Sequence, residues 1–539
     1  MNRFSLRALA QWWRRRRTPL PSPTSRPPLP RGIAERFTIV TSAYDTKPEF
    51  LRELAASFTA QDAPGASWVI ADNGSKSAVV RACLDELAQL PRVRLVRVAE
   101  NRGILGGSRL ALEAATSDFV IPVDSDDLLA PHTIRALGHA VLADAETRFL
   151  FSDEDHCTDG KRCNPFFRTG WDPALALACS YIWHLCAFDR REALRLGVYA
   201  DPGANYCHDW DTLLRFVRAG HRPRHVREIL YSWRTHATST TNNATEAHQG
   251  SLASQRHVLD LHLRERGLAD RFVVADCPLW RGAPELRLER LPVAVPAIDL
   301  CVVTNGPVTA AQLDLMATAV AAAAPIRRRL LWGVGRGVAA AGWEVVEGGG
   351  DAMLRQLAAA APFGVLLWDL EAAVREADAA RELIGWLELV PEVAVVGGRV
   401  LDAQGHVRSA GYYPGRTDVL LAPDEGRRSD DAGYLAMALK PRSVAAVPSG
   451  CVLLRGAWLA QAAQALAGQP VEVATLVPWL GAAAAATGMR TVCTPFVTVQ
   501  AAAATVPVGP AATALRTLAG DQFTAFAEPG IWYGAHRAP

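Results

Sequence analysis

The chain has 539 residues, of which 50% are hydrophobic and 21% are charged, a composition that indicates globular domains with sizeable cores. Its length suits two to four domains, and its ten cysteines, without a C-x-x-C pair, argue against zinc sites and a disulfide scaffold. The formal net charge of +2 is uneven, because residues 1–31 hold eight arginines and no acid, so the remainder carries about −6 (+2 less +8).

Residues 1–32 are predicted to form a basic, proline-rich tail. The segment before the arginines is too short to span a bilayer and lacks the apolar core of a secretory signal. Trp12 and Trp13 beside four arginines are typical of a short amphipathic helix on an anionic membrane, and a disordered extension is the alternative. We therefore expect a cytoplasmic protein, with any membrane contact made by residues 1–17 on the inner face of the cytoplasmic membrane.

From residue 37, apolar runs alternate with stretches of helical periodicity. Strands are predicted in FTIVTSAY, SWVIADNGS, VRLVRVAEN and DFVIPVDSDD, with helices in KPEFLRELAASFTAQ, SAVVRACLDELAQL and GSRLALEAATS. This alternation predicts an α/β fold with a parallel sheet covered by helices. Polar clusters at 44–46, 72–75 and 124–127 follow three of these strands, where open α/β sheets bind ligands.

The pattern becomes irregular after about residue 150 and then alternates again. We expect a catalytic domain at 33–264, a connector at 265–297, a second α/β domain at 298–505 and a C-terminal tail at 506–539. The second region begins at IDLCVVTNG, and its rhythm parallels that of the first. An internal duplication of roughly 260 residues is therefore predicted.

The stretch VIPVDSDDLL ends an apolar run with three carboxylates. Oxygen ligands of this kind select Mg²⁺ or Mn²⁺, although a solvated cap at a helix N-terminus is the plainer interpretation. Asp127 is expected to cap the next segment. Further polar clusters support a metal and diphosphate site: Asp209 is a candidate general base, Arg234 and His236 suit a diphosphate and a metal, and Asp72 suits a base or ribose.

A series of motifs between residues 37 and 245, taken in their order along the chain, resembles the family-2 inverting glycosyltransferases, in particular the group that assembles lipopolysaccharide O-antigen and rhamnan. They include WVIADNGS, ENRGILGGSRLALEAATSDFVIPVDSDDLLAPH, FSDEDHCTDGKRCNPFF, YIWHL, HDWDTLLR and LYSWRTHATST. The resemblance implies a GT-A fold, a Rossmann-like domain for nucleotide-diphospho-sugars with a mostly parallel sheet, and Mg²⁺ or Mn²⁺ as cofactor. It implies inverting transfer from a UDP-, GDP- or dTDP-linked sugar to a glycan or lipid-linked glycan in surface polysaccharide or lipopolysaccharide assembly.

The resemblance also implies roles for individual residues. These are Asp209 as catalytic base; Thr41, Ser42, Tyr44, Asp72, Asp124 and Arg234 in donor binding; Asp126 and His236 as metal ligands; and Trp171, His184 and Trp210 near the acceptor. Four positions differ from the common family pattern, namely Asp45, Asn73, Arg109 and His208.

The second region resembles a degenerate family-2 domain. Its counterpart of the acidic stretch, VLLWDLEAAV, keeps only Asp369 and Glu371, and no histidine lies between His406 and His536. A structural or acceptor-presenting role is expected for it.

Features of the sequence raise three other functions. A non-catalytic nucleotide-sugar or glycan-binding protein, with both domains degraded, is the main alternative. A nicotinamide-dependent oxidoreductase is disfavoured, because the glycines of NRGILGG do not follow G-x-G-x-x-G and come after the third strand. No nucleic-acid partner is expected, because no base-reading platform accompanies the basic tail.

Overall fold

The computed structural model describes residues 26–235, 246–280, 285–304, 306–333, 341–360, 362–414, 420–500 and 509–519. The segment predicted to touch a membrane, residues 1–17, and the proposed ligand His236 lie outside these ranges. Within them, no helix combines the length and the apolar character needed to cross a membrane. All ten cysteines are described and none forms a disulfide, as predicted.

The described chain forms eleven strands up to residue 290. They are β1 Phe37–Ala43, β2 Ser67–Asn73, β3 Val93–Val98, β4 Phe119–Pro122, β5 Leu128–Leu129, β6 Phe149–Thr158, β7 Lys161–Phe166, β8 Cys186–Asp189, β9 Arg224–Arg234, β10 Phe272–Asp276 and β11 Leu286–Arg290. The helices of the same part are α1 Pro48–Thr59, α2 Ala78–Leu87, α3 Gly103–Ala114, α4 Thr133–Ala143, α5 Pro173–Ala178, α6 Arg190–Arg195, α7 His208–Arg218 and α8 Glu246–Glu265.

The remaining strands are β12 Ile298–Val303, β13 Ile326–Trp332, β14 Glu344–Val346, β15 Gly364–Asp369, β16 Ala373–Val374, β17 Val393–Leu401, β18 Val407–Ser409, β19 Tyr413–Pro414, β20 Leu420–Leu421, β21 Arg442–Val444, β22 Cys451–Arg455 and β23 Arg490–Gln500. The remaining helices are α9 Ala310–Ala321, α10 Gly350–Ala359, α11 Ala379–Leu389, α12 Leu459–Ala465, α13 Leu476–Ala486 and α14 Pro510–Ala519.

The chain divides into two compact units. The first contains the described residues up to Trp171 and from Ser180 to Arg266, and the second contains Asp172–Cys179 and nearly all that follows Arg266. The short helix α5 therefore belongs to the second unit, where the Asp172 carboxylate accepts hydrogen bonds from the backbone N–H and the hydroxyl of Ser443.

The first unit is built on a sheet with the strand order β3-β2-β1-β4-β8-β6-β9-β5, and β7 pairs with β6. The strands β3, β2, β1 and β4 are parallel, as the alternating sequence predicted. β8 enters antiparallel between β4 and β6, and β9 runs parallel to β6. The predicted α/β class is confirmed, and the antiparallel strand lies in the stretch whose pattern was irregular.

Burial explains why these segments form these elements. β1 is buried along nearly its whole length, as expected for a central strand covered on both faces. In α1, Pro48 occupies the first turn, and Leu51, Leu54 and Phe58 form one buried face at helical spacing. Phe58 packs on Trp68 of β2 with ring centroids 5.5 Å apart.

The sheet of the second unit has the order β14-β13-β12-β15-β22-β17-β23-β16, and β18 pairs with β17. Its strand directions repeat those of the first sheet, with β15–β22 and β22–β17 antiparallel and β17–β23 parallel. The two sheets thus share one topology, which supports the internal duplication. This match provides a residue-by-residue register between the two.

A buried histidine in the first unit makes its stability depend on pH. His262 of α8 is 2% exposed, and its Nδ1 has no hydrogen-bond partner among the described residues. Burial, aided by Arg218 and Arg266, lowers the pKa of His262 to about 3. The unfolded chain therefore binds a proton below pH 6.5 that the folded chain does not, so stability decreases as the pH falls below that value.

We expect His262→Leu to lose less stability on acidification than the wild type. The difference amounts to about 2 kcal/mol between pH 7.5 and pH 5, at about 1.4 kcal/mol per pH unit below 6.5. Urea denaturation at the two pH values measures it, and equal losses for both proteins would contradict the assignment.

Candidate active site

A cleft of about 390 Å³ opens at the carboxyl ends of β1, β2 and β4. Strand ends form its floor because parallel strands β1, β2 and β4 finish at one edge of the sheet. Its lining residues include Ser42, Tyr44, Thr46, Asn73, Asn101, Ile104, Ser108, Asp124, Ser125, Asp126, Trp183, His184, Tyr199, His208, Asp209 and Thr212.

The acidic stretch forms a turn directly after β4. Asp124 opens onto the cleft with 58% of its side chain exposed, whereas Asp127 is only 1% exposed. The carboxylate of Asp127 accepts hydrogen bonds from the Tyr231 hydroxyl (2.6 Å) and the Arg234 backbone N–H (2.7 Å). The expectation that Asp127 caps the next segment is wrong, because the side chain is tied inward to β9.

His184 lies beside this turn. Its Nε2 is 3.8 Å from the Asp124 Oδ2, and its ring stacks on Tyr231 with centroids 4.7 Å apart. Burial alone would lower the pKa of His184, but the nearby charges of Asp124 and Glu154 outweigh it, and the pKa is raised.

Asp124 itself is held in a crowded electrostatic environment. Partial loss of hydration inside the cleft raises the pKa of the Asp124 carboxyl, and Asp126 and Asp209 raise it further against the opposing effect of His184. Three acidic groups, Asp124, Asp126 and Asp209, thus line the cleft together with the imidazoles of His184 and His208.

Asp209 reaches the same cleft from α7. The helix begins at His208, one residue earlier than Asp209, so the carboxylate belongs to the first helical turn, where the helix dipole favours negative charge. Its side chain is 32% exposed, and its Oδ1 lies 3.4 Å from the His208 Nε2. The next residue, Trp210, points into the core and is 2% exposed.

The wall formed by α3 depends on close packing. A Cβ atom on Gly107 would lie 2.0 Å from the Ser42 Oγ, so only glycine lets α3 approach β1 this closely. Asn73 fixes the preceding loop, because its amide donates to Asn101 and to the Gly103 carbonyl and its oxygen accepts from the Arg102 N–H. The asparagine that differs from the family pattern thus shapes the cleft edge.

The predicted site residues fall into two groups. Those that line the cleft are Ser42, Tyr44, Asp124, Asp126, His184 and Asp209. Those placed outside its lining are Thr41, Asp72, Arg234, Trp171 and Trp210, while His236 lies outside the described residues.

The residues outside the lining have partners of their own. The Thr41 hydroxyl accepts a hydrogen bond from the Trp68 indole (3.0 Å), and the Asp72 carboxylate is paired with Arg97 (2.6 Å). The Arg234 guanidinium donates to the Asp126 backbone carbonyl and to Glu53 (2.6 Å).

Trp183, Tyr199 and Tyr231 are cleft or support residues that the sequence interpretation did not single out. Tyr231 lies within a motif already quoted, LYSWRTHATST, but its partner Asp127 is 104 residues away. No local pattern indicates a contact at that separation. Trp183 lies next to His184, and its indole donates to the buried Glu154 carboxylate (2.7 Å).

The donor set at the turn fits a divalent cation. Asp124, Asp127 and His184 each offer a ligand atom within 4.8 Å of the others. Carboxylates that crowd one another are stabilised by a positive charge, and the nearby Arg234 guanidinium donates to a carbonyl and Glu53 instead. Asp124 is the most exposed of the three. Asp127 is less available to a cation, because both of its carboxylate oxygens already accept hydrogen bonds.

Parts of the chain are similar to known proteins. Residues 38–147 match the family model described as glycosyl transferase family 2. O-antigen biosynthesis protein RfbC of Myxococcus xanthus is 25% identical over 494 residues, 85% of this chain and 36% of that protein. An N-acetylglucosaminyltransferase of Bradyrhizobium is 29% identical over 101 residues, 18% of this chain and 66% of that protein.

A protein of Sinorhizobium fredii, y4gI, is 25% identical over 469 residues, 78% of this chain and 48% of its own length. The chain thus spans between about a third and a half of the two longer relatives. Among solved structures, Staphylococcus aureus TarS 1–349 in complex with UDP-GlcNAc overlays with a TM-score of 0.35 at 15% identity, covering 43% of this chain and 70% of that one. At that TM-score, the overlay carries no argument about this chain.

Proposed function

We propose, from the match of residues 38–147 to the family model of glycosyl transferase family 2, that the protein transfers a sugar from a nucleotide-diphosphate donor to a glycan hydroxyl with inversion. The proposed setting is the assembly of surface polysaccharide or lipopolysaccharide, as the printed name of the Myxococcus relative suggests. The donor is UDP-, GDP- or dTDP-linked, and the acceptor is a glycan or a lipid-linked glycan.

One observation carries this proposal. Asp124 and Asp126 from the turn after β4 and Asp209 from α7 line a single cleft, although the two groups are more than 80 residues apart in the chain. A carboxylate for the acceptor proton and carboxylates for a cation beside the diphosphate are what inverting transfer needs. Their position in one cleft supports the roles that we propose for the three carboxylates.

In the proposed reaction, the Asp209 carboxylate takes the proton of the acceptor hydroxyl as the oxygen attacks the anomeric carbon. The new carbon–oxygen bond forms on the face opposite the departing nucleoside diphosphate, which takes the electron pair of the broken bond. Attack from the opposite face inverts the anomeric centre. His208, 3.4 Å from Asp209, borders the position that the proton occupies after transfer.

Bound Mg²⁺ or Mn²⁺ would supply positive charge that stabilises the leaving diphosphate. We propose Asp126 and His236 as its ligands, and Asp124 and His184 line the same cleft as Asp126. Ser42, Tyr44 and Asp124 are the donor-binding candidates that line the cleft. We propose that Thr41, Asp72 and Arg234, which lie outside the lining, also contribute to donor binding. Trp171, His184 and Trp210 remain the acceptor-side proposals.

The second unit is proposed to be structural or to present the acceptor. The Asp369 carboxylate accepts a hydrogen bond from the backbone of Glu371 within its own turn. A non-catalytic binding protein is the alternative function for the whole chain.

A donor panel tests the proposal. The full chain is incubated with UDP-, GDP- and dTDP-sugars and Mn²⁺, and both nucleotide binding and nucleoside diphosphate release are measured. We expect release from at least one donor and its stimulation by a glycan acceptor. Nucleotide binding without release from any donor would favour the non-catalytic alternative.

A further inference from the structure

Tyr231 of β9 contacts the acidic turn and His184 at the same time. Its side chain is fully buried. The hydroxyl donates to the Asp127 Oδ2 (2.6 Å) and accepts from the Asp124 backbone N–H (3.2 Å). The ring lies flat against the His184 imidazole, with an interplanar angle of 7°. One side chain therefore sets the position of both ends of the turn and of the adjacent imidazole.

Asp127 is the inward anchor of this arrangement. Its second oxygen accepts from the Arg234 N–H, so β9 holds both oxygens of the carboxylate through two residues. A buried carboxylate with both oxygens occupied is well placed to fix the backbone and poorly placed to bind a cation. The outward carboxylates Asp124 and Asp126 line the cleft instead.

The sheet of the second unit has different residues at the positions of Asp127, His184 and Tyr231. Leu129 pairs with Tyr231, and at the same point of the second sheet Val374 pairs with Val499. The aligned turns VIPVDSDDLL and VLLWDLEAAV place Ala372 at the position of Asp127. When the registers of β4–β8 and β15–β22 are continued to Asp124 and Asp369, His184 and Gly450 are the residues opposite these two acids.

Ala372, Gly450 and Val499, the counterparts of Asp127, His184 and Tyr231, also lie close together. A Cβ atom on Gly450 would be 2.8 Å from the Val499 Cγ1 and 3.4 Å from the Ala372 Cβ. The second unit keeps the outward acids as Asp369 and Glu371 but replaces Asp127, His184 and Tyr231 with a small apolar set. The three residues therefore differ between the two copies as one cluster.

We propose that Tyr231, acting through Asp127 and the Asp124 backbone, is a positioning residue that holds the acidic turn and His184 in the arrangement used by the cation and the donor diphosphate. The inference rests on the proposed function for its catalytic meaning. Its structural part, the hold on the turn, is independent of that function.

Tyr231→Phe in the full chain tests the inference, because it removes the hydroxyl and keeps the ring. Tyr181→Phe is the matched control, since Tyr181 is also buried and its hydroxyl donates to the Gly170 carbonyl, away from the cleft (2.9 Å). Three quantities are measured: amide hydrogen exchange of a peptide covering residues 123–127, Mn²⁺ affinity from the EPR signal of free Mn²⁺, and turnover.

We expect faster exchange of the turn in Tyr231→Phe and a loss of about 10–100-fold in Mn²⁺ affinity and turnover, the range typical of partners that orient metal ligands. Tyr181→Phe should match the wild type in all three. Unchanged exchange in Tyr231→Phe, or equal effects of the two substitutions, would overturn the inference. Faster exchange in a chain whose wild type neither binds Mn²⁺ nor transfers sugar would support the hold on the turn and refute the proposed function.

Discussion

Asp209→Asn is expected to abolish sugar transfer, with turnover reduced by about 10²–10⁴-fold or more. The amide has nearly the shape of the carboxylate but cannot accept the acceptor proton at neutral pH. Asp209 is on the exposed side of α7, and its neighbour Trp210 carries the core packing, so the fold should persist. Donor binding should change little, because the donor-binding candidates lie in or directly after strands of the sheet and not on α7.

The measurement compares turnover and nucleotide affinity of the variant with those of the wild type. Asp85→Asn is a suitable control, because Asp85 is 60% exposed in α2 and contacts Arg97 rather than the cleft. Parallel loss of turnover and of the folded state in Asp209→Asn would assign Asp209 a structural role. Wild-type turnover in the variant would remove it as the base.

Arg442→Met is expected to destabilise the second unit by about 3–5 kcal/mol, the cost of breaking a buried ion pair from one side. Arg442 is 3% exposed and pairs with Asp424 at 2.6 Å. It also donates to the Tyr413 hydroxyl and to backbone carbonyls, including those of Ala410 and Met437. Methionine fills a similar volume but leaves the carboxylate and these acceptors without their donor.

Calorimetric unfolding of the full chain measures this effect as a lower transition temperature. Arg428→Met is the control, because the Arg428 side chain is 76% exposed and pairs with Asp430 at the surface. Such surface pairs contribute little to stability. Equal decreases in transition temperature for the two variants would show that the buried network contributes no more stability than a surface ion pair.

The first part of the fold was predictable because each segment carries its own signal. Strands β1, β2 and β4 are apolar runs that end in polar turns, and α1 begins with Pro48 and repeats its apolar face at helical spacing. The order of β6, β8 and β9 was not predictable, because β8 inserts between β4 and β6 against the order of the chain. Such pairings depend on contacts far apart in sequence.

The candidate site divides in the same way. The turn at Asp124 and the helix start at Asp209 are visible as local motifs, and the structure brings both to one cleft. The inward tie of Asp127 to Tyr231 is not visible, because only the register of β5 against β9 brings them together. Burial also distinguishes adjacent residues of one motif, because Asp209 lines the cleft whereas Trp210 lies in the core.

Of the two sheets with the same topology, we expect only the first to carry the chemistry. Turnover of the full chain with Asp124→Asn, compared with Asp369→Asn at the matching position of the second sheet, tests it most directly. We predict a loss of at least about 10²-fold for Asp124→Asn, because Asp124 is proposed to bind the donor beside the cation that would stabilise the leaving diphosphate, and wild-type turnover for Asp369→Asn. Loss of turnover in Asp369→Asn with retention in Asp124→Asn would place the reaction in the second unit and contradict the account.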